Sequence, residues 1–204
     1  MKLFKSSGAI PFFIVTFLGA FVQMGVFVHF QTWLGATYEG SSYLWRSFLL
    51  QVAIFVPSIF MMPLASYFVG KRSKSRAMAW SSVGIVAALI AISVCFVTGN
   101  PWVAFGLVGL YGVGYALHVP ARVSIMKELF QNDDLVKANT WFMICYVLGI
   151  SLAAYLGIIV FKHILFIYLG AAVAASILSF FIKEGRHDSS VKYRSARRVF
   201  AATW

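Results

Sequence analysis

The chain is 204 residues long, 61% hydrophobic and 11% charged, with a formal net charge of +11. A typical soluble domain is about half apolar and about a quarter charged, and a globule of this size cannot bury such an excess. A soluble enzyme is excluded, and so is a disordered chain, which needs the opposite composition.

No charged residue falls in 6–38, 47–70, 77–121, 138–161 or 163–182, gaps of 33, 24, 45, 24 and 20 residues. A helix needs about 20 apolar residues to cross a hydrocarbon core of about 30 Å, so four gaps hold one crossing each. The longest holds two, divided at Thr98-Gly99-Asn100-Pro101, a turn sequence. The runs are continuously apolar, whereas barrel strands would alternate over about ten residues. The fold class predicted is an all-α membrane protein of six transmembrane helices, at 9–30, 47–69, 77–98, 101–121, 139–161 and 163–182. The first run follows Lys2 and Lys5. It is too long for a signal-peptide h-region and lacks a following cleavage site, so it is expected to stay as a span.

With the N-terminus inside, fifteen of the 17 Lys and Arg residues fall on inner segments, and only Arg46 and Lys162 lie outside. The positive-inside rule then places both termini in the cytoplasm. Trp33, Trp45 and Trp102 mark outer span ends and Trp80 and Trp141 inner ends, as interfacial belts require. The basic charge flanks spans, so it reads as anchoring to anionic lipid rather than nucleic-acid binding. The tail 190–204 mixes Lys192, Arg194, Arg197 and Arg198 with Val199, Phe200 and Trp204. It reads as a helix lying on the inner leaflet or as a linker to a further bundle. The expected domains are a bundle over 1–184 and a basic tail over 185–204.

Catalytic and cofactor signatures are missing. Cys95 and Cys145 lie inside spans and behave as small apolar residues. His29, His118, His163 and His187 show no pair at metal-ligand spacing, and no phosphate loop is present. No cofactor or metal is expected. No Asp, Glu, Lys or Arg stands in the middle of any span, which argues against coupling to protons through the chain's own carboxylates.

Polar side chains in spans are few. Gln23 in the first helix and Gln51 in the second each need a partner away from water. They line a central path or hydrogen-bond between helices. His118 and Arg122, one turn apart, share a face. They are candidates to hold a phosphate or carboxylate headgroup, with snorkelling of Arg122 to the interface as the alternative. Gly106, Gly109, Gly112 and Gly114 in the fourth span, and Gly149, Ala153 and Gly157 in the fifth, read as small faces for close helix packing.

The segment His118-Val-Pro-Ala-Arg-Val-Ser-Ile-Met-Lys-Glu-Leu-Phe130, followed by Leu135-Val136-Lys137-Ala138-Asn139, resembles the P-A-K-x-G-I … E-L … L-V-K-A-N signature of bacterial lysophospholipid transporters. These belong to the major facilitator superfamily. Phe17-Leu18-Gly19-Ala20-Phe21 looks like the family's first-helix entry. Pro63-Leu64-Ala65-Ser66-Tyr67 before the basic run is similar to its loop between helices two and three. The resemblance implies the N-terminal bundle of a twelve-helix carrier, built from two inverted three-helix repeats. A second bundle in cis or in trans would complete it, in a bacterial inner membrane. The implied substrate is a lysophospholipid, chiefly of the ethanolamine type, or a similar amphiphile or other small solute. Arg122 stands where the family has a headgroup-binding Lys, and Asn139 joins the implied substrate-binding set. Lys71, Arg72, Lys74 and Arg76 correspond to the superfamily's gating loop. On charge alone, Arg122→Lys is expected to be nearly silent.

Three family carboxylates are replaced. Val22-Gln23-Met24 stands for an amide-acid-amide group, Gly70 for the loop-entry acid, and Met143 for an acid after Asn139. The chain either moves its substrate without acidic gating or is a non-transporting subunit. Some relatives are fused to an acyltransferase that uses H-x-x-x-x-D. None of the four His has Asp at that offset, so no enzyme is expected.

Overall fold

Backbone N–H and C=O groups find no water in hydrocarbon, so an apolar run satisfies them internally as a helix. The computed structural model describes residues 8–71, 73–98, 101–130, 133–159 and 164–182. Six helices account for nearly all of them: α1 (Ala9–Thr37), α2 (Gly40–Lys71), α3 (Lys74–Thr98), α4 (Pro101–Leu129), α5 (Asp133–Ile159) and α6 (Ile164–Phe180). Among the described residues there is no strand.

Five of these helices are long and apolar enough to cross a membrane. The expected sixth span differs. α6 is apolar but only 17 residues long, about 25 Å at 1.5 Å per residue. The others outrun their apolar spans, because a helix continues into interfacial polar sequence while its hydrogen-bond ladder holds. α1 reaches Thr37 instead of residue 30, and α4 reaches Leu129 instead of residue 121. The turn α1–α2 is tight, and Gly40 has φ +55°, a left-handed geometry that glycine adopts without steric cost. α4 opens on Pro101, where a missing N–H leaves no intrahelical bond unmade. The tail 190–204, the basic residues beyond Ile182, Lys2, Lys5, Arg72, Lys162, His163 and His187 lie outside the described residues, as do the side chains of Lys71 and Cys95.

Packing runs in the order α2–α4–α3–α6–α1–α5. α2 and α5 stand at the two ends, are the least buried of the spans, and touch α1 and α4 respectively only lightly. The pattern maps onto itself when α1, α2 and α3 exchange with α4, α5 and α6. The pair α1·α5 becomes α4·α2, and α1·α6 becomes α4·α3.

Glycines set two matching crossings. A Cβ on Gly112 of α4 would sit 2.5 Å from the Ile54 carbonyl oxygen of α2, and one on Gly149 of α5 would sit 2.5 Å from the Phe17 carbonyl oxygen of α1. The Ser58 hydroxyl lies 2.8 Å from the carbonyl oxygens of both Ile54 and Gly112, bridging α2 to α4. Tyr168 of α6 fills the α1–α5 junction. Its ring occupies the space a Cβ on Gly25 would need, and its hydroxyl donates to the Ala153 carbonyl at 3.1 Å.

Two apolar clusters result. One contains Phe21, Phe30, Leu89, Val108 and Tyr168. The other contains Phe12, Phe13, Met78, Ile125 and Phe130. The buried polar residues Thr16, Ser81, Ser82, His118, Ser176 and Ser179 occupy sequence positions between the two, while Arg122 follows Ala121 of the second and His29 lies within the first. Four of the hydroxyls in this layer are satisfied within their own helices: Thr16 donates to Phe12, Ser81 and Ser82 to Met78, and Ser179 to Ala175. Backbonding of this kind is how Ser and Thr are accommodated inside helices. His118 and Arg122 have no such recourse.

Candidate functional site

Arg122 is only 4% exposed. Its guanidinium lies over the rings of Phe142 and Tyr146 of α5, 4.9 Å and 5.4 Å from their centroids. Those two rings, one helical turn apart, are parallel within 5°, which presents a flat aromatic floor to a flat cation. Such stacking strengthens as water is removed. Yet Nε and Nη1 are buried and meet no acceptor among the described residues. A guanidinium does not lose its proton in proteins, so among the described residues this is a charge held without a counter-ion.

Around it stand uncharged hydrogen-bonding groups. The Tyr146 hydroxyl donates to Gln23 Oε1 at 3.3 Å, joining α5 to α1. The Tyr115 hydroxyl lies near both Arg122 and Tyr146, outside hydrogen-bond geometry. The buried hydroxyl of Tyr111 is also unpartnered. Tyr111, Tyr115, His118 and Arg122 follow at spacings of four, three and four along α4, so one helix face carries them all.

Gln23, Tyr111, Tyr115 and Tyr146, but not Arg122 or His118, border two adjoining cavities between α1, α2, α4 and α5, of about 190 and 170 Å³. The polar lining is Gln23, Ser58, Tyr111, Tyr115 and Tyr146; the remainder is apolar, with Phe27, Ile54, Phe55 and Ile150 among it. The combined space carries a few polar groups on a mostly apolar wall, the distribution an amphiphile presents, and Tyr146, on which Arg122 stacks, borders the first cavity.

The predicted residues separate into groups. Gln23 joins the Arg122 site. Gln51 is exposed on α2, one turn before the cavity residue Phe55. Asn139 is exposed one turn before Phe142 on α5. His118 stacks on Tyr115, which also lies near Arg122, but its hydrogen-bonding neighbours are different. Its Nδ1 lies 3.3 and 3.4 Å from the hydroxyls of Ser81 and Ser82 on α3, and its ring borders a separate cavity of about 20 Å³ against Gly19, Ala172 and Ala175. One turn of spacing aligns two side chains along a helix, but their rotamers choose different neighbours, here α3 and α5. Of the expected gating-loop residues, Lys74 pairs with Glu128 of α4, tying α3 to α4. Arg76 is exposed beside Ser73 and Trp80 in a surface groove of α2 and α3.

Phe142, Tyr146, Tyr111 and Tyr115 were not legible as site residues. Their signal was present: aromatic pairs at i and i+4 within charge-free spans. It becomes distinctive only once an arginine is known to lie over one pair.

No family model matches the chain. Several curated proteins align over 95 residues, 47% of this chain. Among them are the lysophospholipid transporters LplT of Pectobacterium carotovorum, at 33% identity, Yersinia enterocolitica, at 32%, and Cronobacter sakazakii, at 34%. The chain resembles bacterial lysophospholipid transporters. The match spans 22% of the length of each relative. Five apolar spans and bacterial transporter relatives make it an integral, multi-pass membrane protein of the bacterial inner membrane, and these relatives are transporters by name rather than enzymes.

Proposed function

We propose that this chain is the N-terminal six-helix bundle of a major-facilitator-type transporter that moves a lysophospholipid or a closely similar amphiphile. The observation that carries this reading is the buried Arg122, without a counter-ion among the described residues, stacked on Tyr146, which itself borders a largely apolar cavity. Removing a charge from water without a partner costs several kcal/mol, so such a site is made whole by an anionic ligand. A phosphate offers the guanidinium a bidentate, charge-assisted acceptor. Tyr146 and Gln23 would border the headgroup, and the cavity wall of Phe27, Ile54, Phe55 and Ile150 would receive the chain. His118 would brace α4 against α3 rather than touch substrate.

Self-similar packing under exchange of α1–α3 with α4–α6 supports two inverted three-helix repeats, which place binding sites at the repeat interface. The bundle would cover 1–184, with both termini inside and 185–204 as a tail or linker to a second bundle. α2 and α5, the exposed end helices, would face that bundle. Uptake would follow from rocking of the two bundles around the shared site. Arg122→Ala in the native polypeptide should lower uptake of radiolabelled lysolipid into cells at least tenfold while membrane insertion stays unchanged. Wild-type-like uptake by that variant removes Arg122 from the pathway, and no flux in the wild-type protein favours a non-transporting subunit.

A further inference from the structure

We infer that the groove between α2 and α3 holds a diacyl phospholipid with a net-negative head, taken from the surrounding leaflet. α2 and α3 follow one another in the chain yet touch only lightly, because each packs instead on α4. The wedge left between them is a surface groove of about 650 Å³. Its apolar wall includes Met61, Phe68 and Val69 of α2, Trp80 of α3 and Leu117 of α4, while Ser73 and Arg76 stand at one end. From Val69 to Met61 is eight helical residues, about 12 Å, most of one leaflet's share of a hydrocarbon core about 30 Å thick. Phe68 is 51% exposed and Trp80 68%, so the wall stands open for an acyl chain to lie along it.

The groove is separate from the larger cavities. Leu117 is two residues from Val119, which borders one of those cavities, and two residues turn a helix through about 200°. The groove therefore lies against the opposite side of α4, and its occupation does not depend on the transport reading. Charge at its polar end selects the head. Arg76 is exposed and lines the groove, and among the described residues no carboxylate pairs with it. The ion pair at this end joins Lys74, about 200° round α3 from Arg76, to Glu128. The sequence Gly70-Lys-Arg-Ser-Lys-Ser-Arg76 carries four cations and no acid, of which Glu128 neutralises one. A phosphodiester answers the guanidinium with two parallel acceptors. Trp80, one turn further along α3, provides the indole that favours the boundary between heads and chains. An ammonium on the same head would meet the repulsion of the remaining cations, so a net-negative head is preferred. Each basic residue near a membrane surface contributes about a fivefold preference for such a head.

The experiment reconstitutes the native polypeptide in phosphatidylcholine bilayers. Tryptophan emission is followed as phosphatidylglycerol or phosphatidylcholine with brominated acyl chains replaces the host lipid. Bromine quenches on contact, and the difference between wild type and Trp80→Phe isolates the groove. In that difference, brominated phosphatidylglycerol should reach half-quenching at a lipid fraction about fivefold lower than brominated phosphatidylcholine. Arg76→Gln should bring the two lipids level, chiefly by weakening phosphatidylglycerol, whereas Arg76→Lys should keep most of the preference. Should Arg76→Gln fail to fold, wild type at about 1 M salt, where the screening length falls to about 3 Å, should lose the preference in the same way. Equal quenching of Trp80 by both lipids in wild type, or a preference that survives both Arg76→Gln and high salt, overturns the lipid site. Absence of any Trp80-dependent quenching shows the groove covered by protein and overturns it as well.

Discussion

At Arg122 the side chain and its surroundings disagree in a way that defines the site. A charge-only view makes Arg122→Lys nearly silent. The stack on Phe142 and Tyr146 changes that expectation, because an ammonium is a compact, strongly hydrated point charge that neither matches the planar floor nor forks to a phosphate. Loss of a cation–π contact costs about 0.5–2 kcal/mol, which is about two- to thirtyfold in affinity. Arg122→Lys should therefore raise the half-saturating lysolipid concentration within that range; an unchanged value would show that only charge matters. Gln23 and Arg122 stand out in the amino-acid sequence because polar residues are rare in hydrocarbon. The aromatic groups that complete the site do not, since Phe and Tyr are ordinary in spans.

Helix crossings discriminate among glycines that look alike in the chain. Gly106, Gly109, Gly112 and Gly114 form one apparent set, yet a Cβ on Gly106 meets nothing within 4 Å, whereas on Gly112 it meets backbone at 2.5 Å. Backbone oxygen cannot yield as a flexible side chain can, so Gly112→Ala and Gly149→Ala should each cost about 1–3 kcal/mol, the usual range for overpacking. The detergent-solubilised protein should melt earlier in both. Gly106→Ala should be neutral or stabilising by up to about 1 kcal/mol through helix propensity. Equal melting shifts for Gly106→Ala and Gly112→Ala would mean that the α2–α4 crossing is looser than 2.5 Å implies. Helix ends also extend past the charge-free gaps, because hydropathy marks where lipid begins and hydrogen bonding decides where a helix stops.

For the molecule as a whole, the distribution of Lys and Arg predicts an orientation that labelling can test. In a background with Cys95 and Cys145 replaced by Ala, a cysteine at Glu39 should react with an impermeant maleimide in intact cells. One at Lys127 should react only after the membrane is opened. Both positions are exposed. The opposite pattern would invert the bundle. What composition and charge spacing settle is the class: several long apolar runs leave helices in a membrane as the sole outcome, because lipid forbids unsatisfied backbone. That a cation lies buried over two rings of α5, that His118 turns instead to α3, and that the polar end of a cavity forms between α1, α2, α4 and α5 are decided by which helices pack together. Those contacts join residues far apart in the chain, and nearly uniform apolar spans carry too little periodic contrast to say which face meets which neighbour.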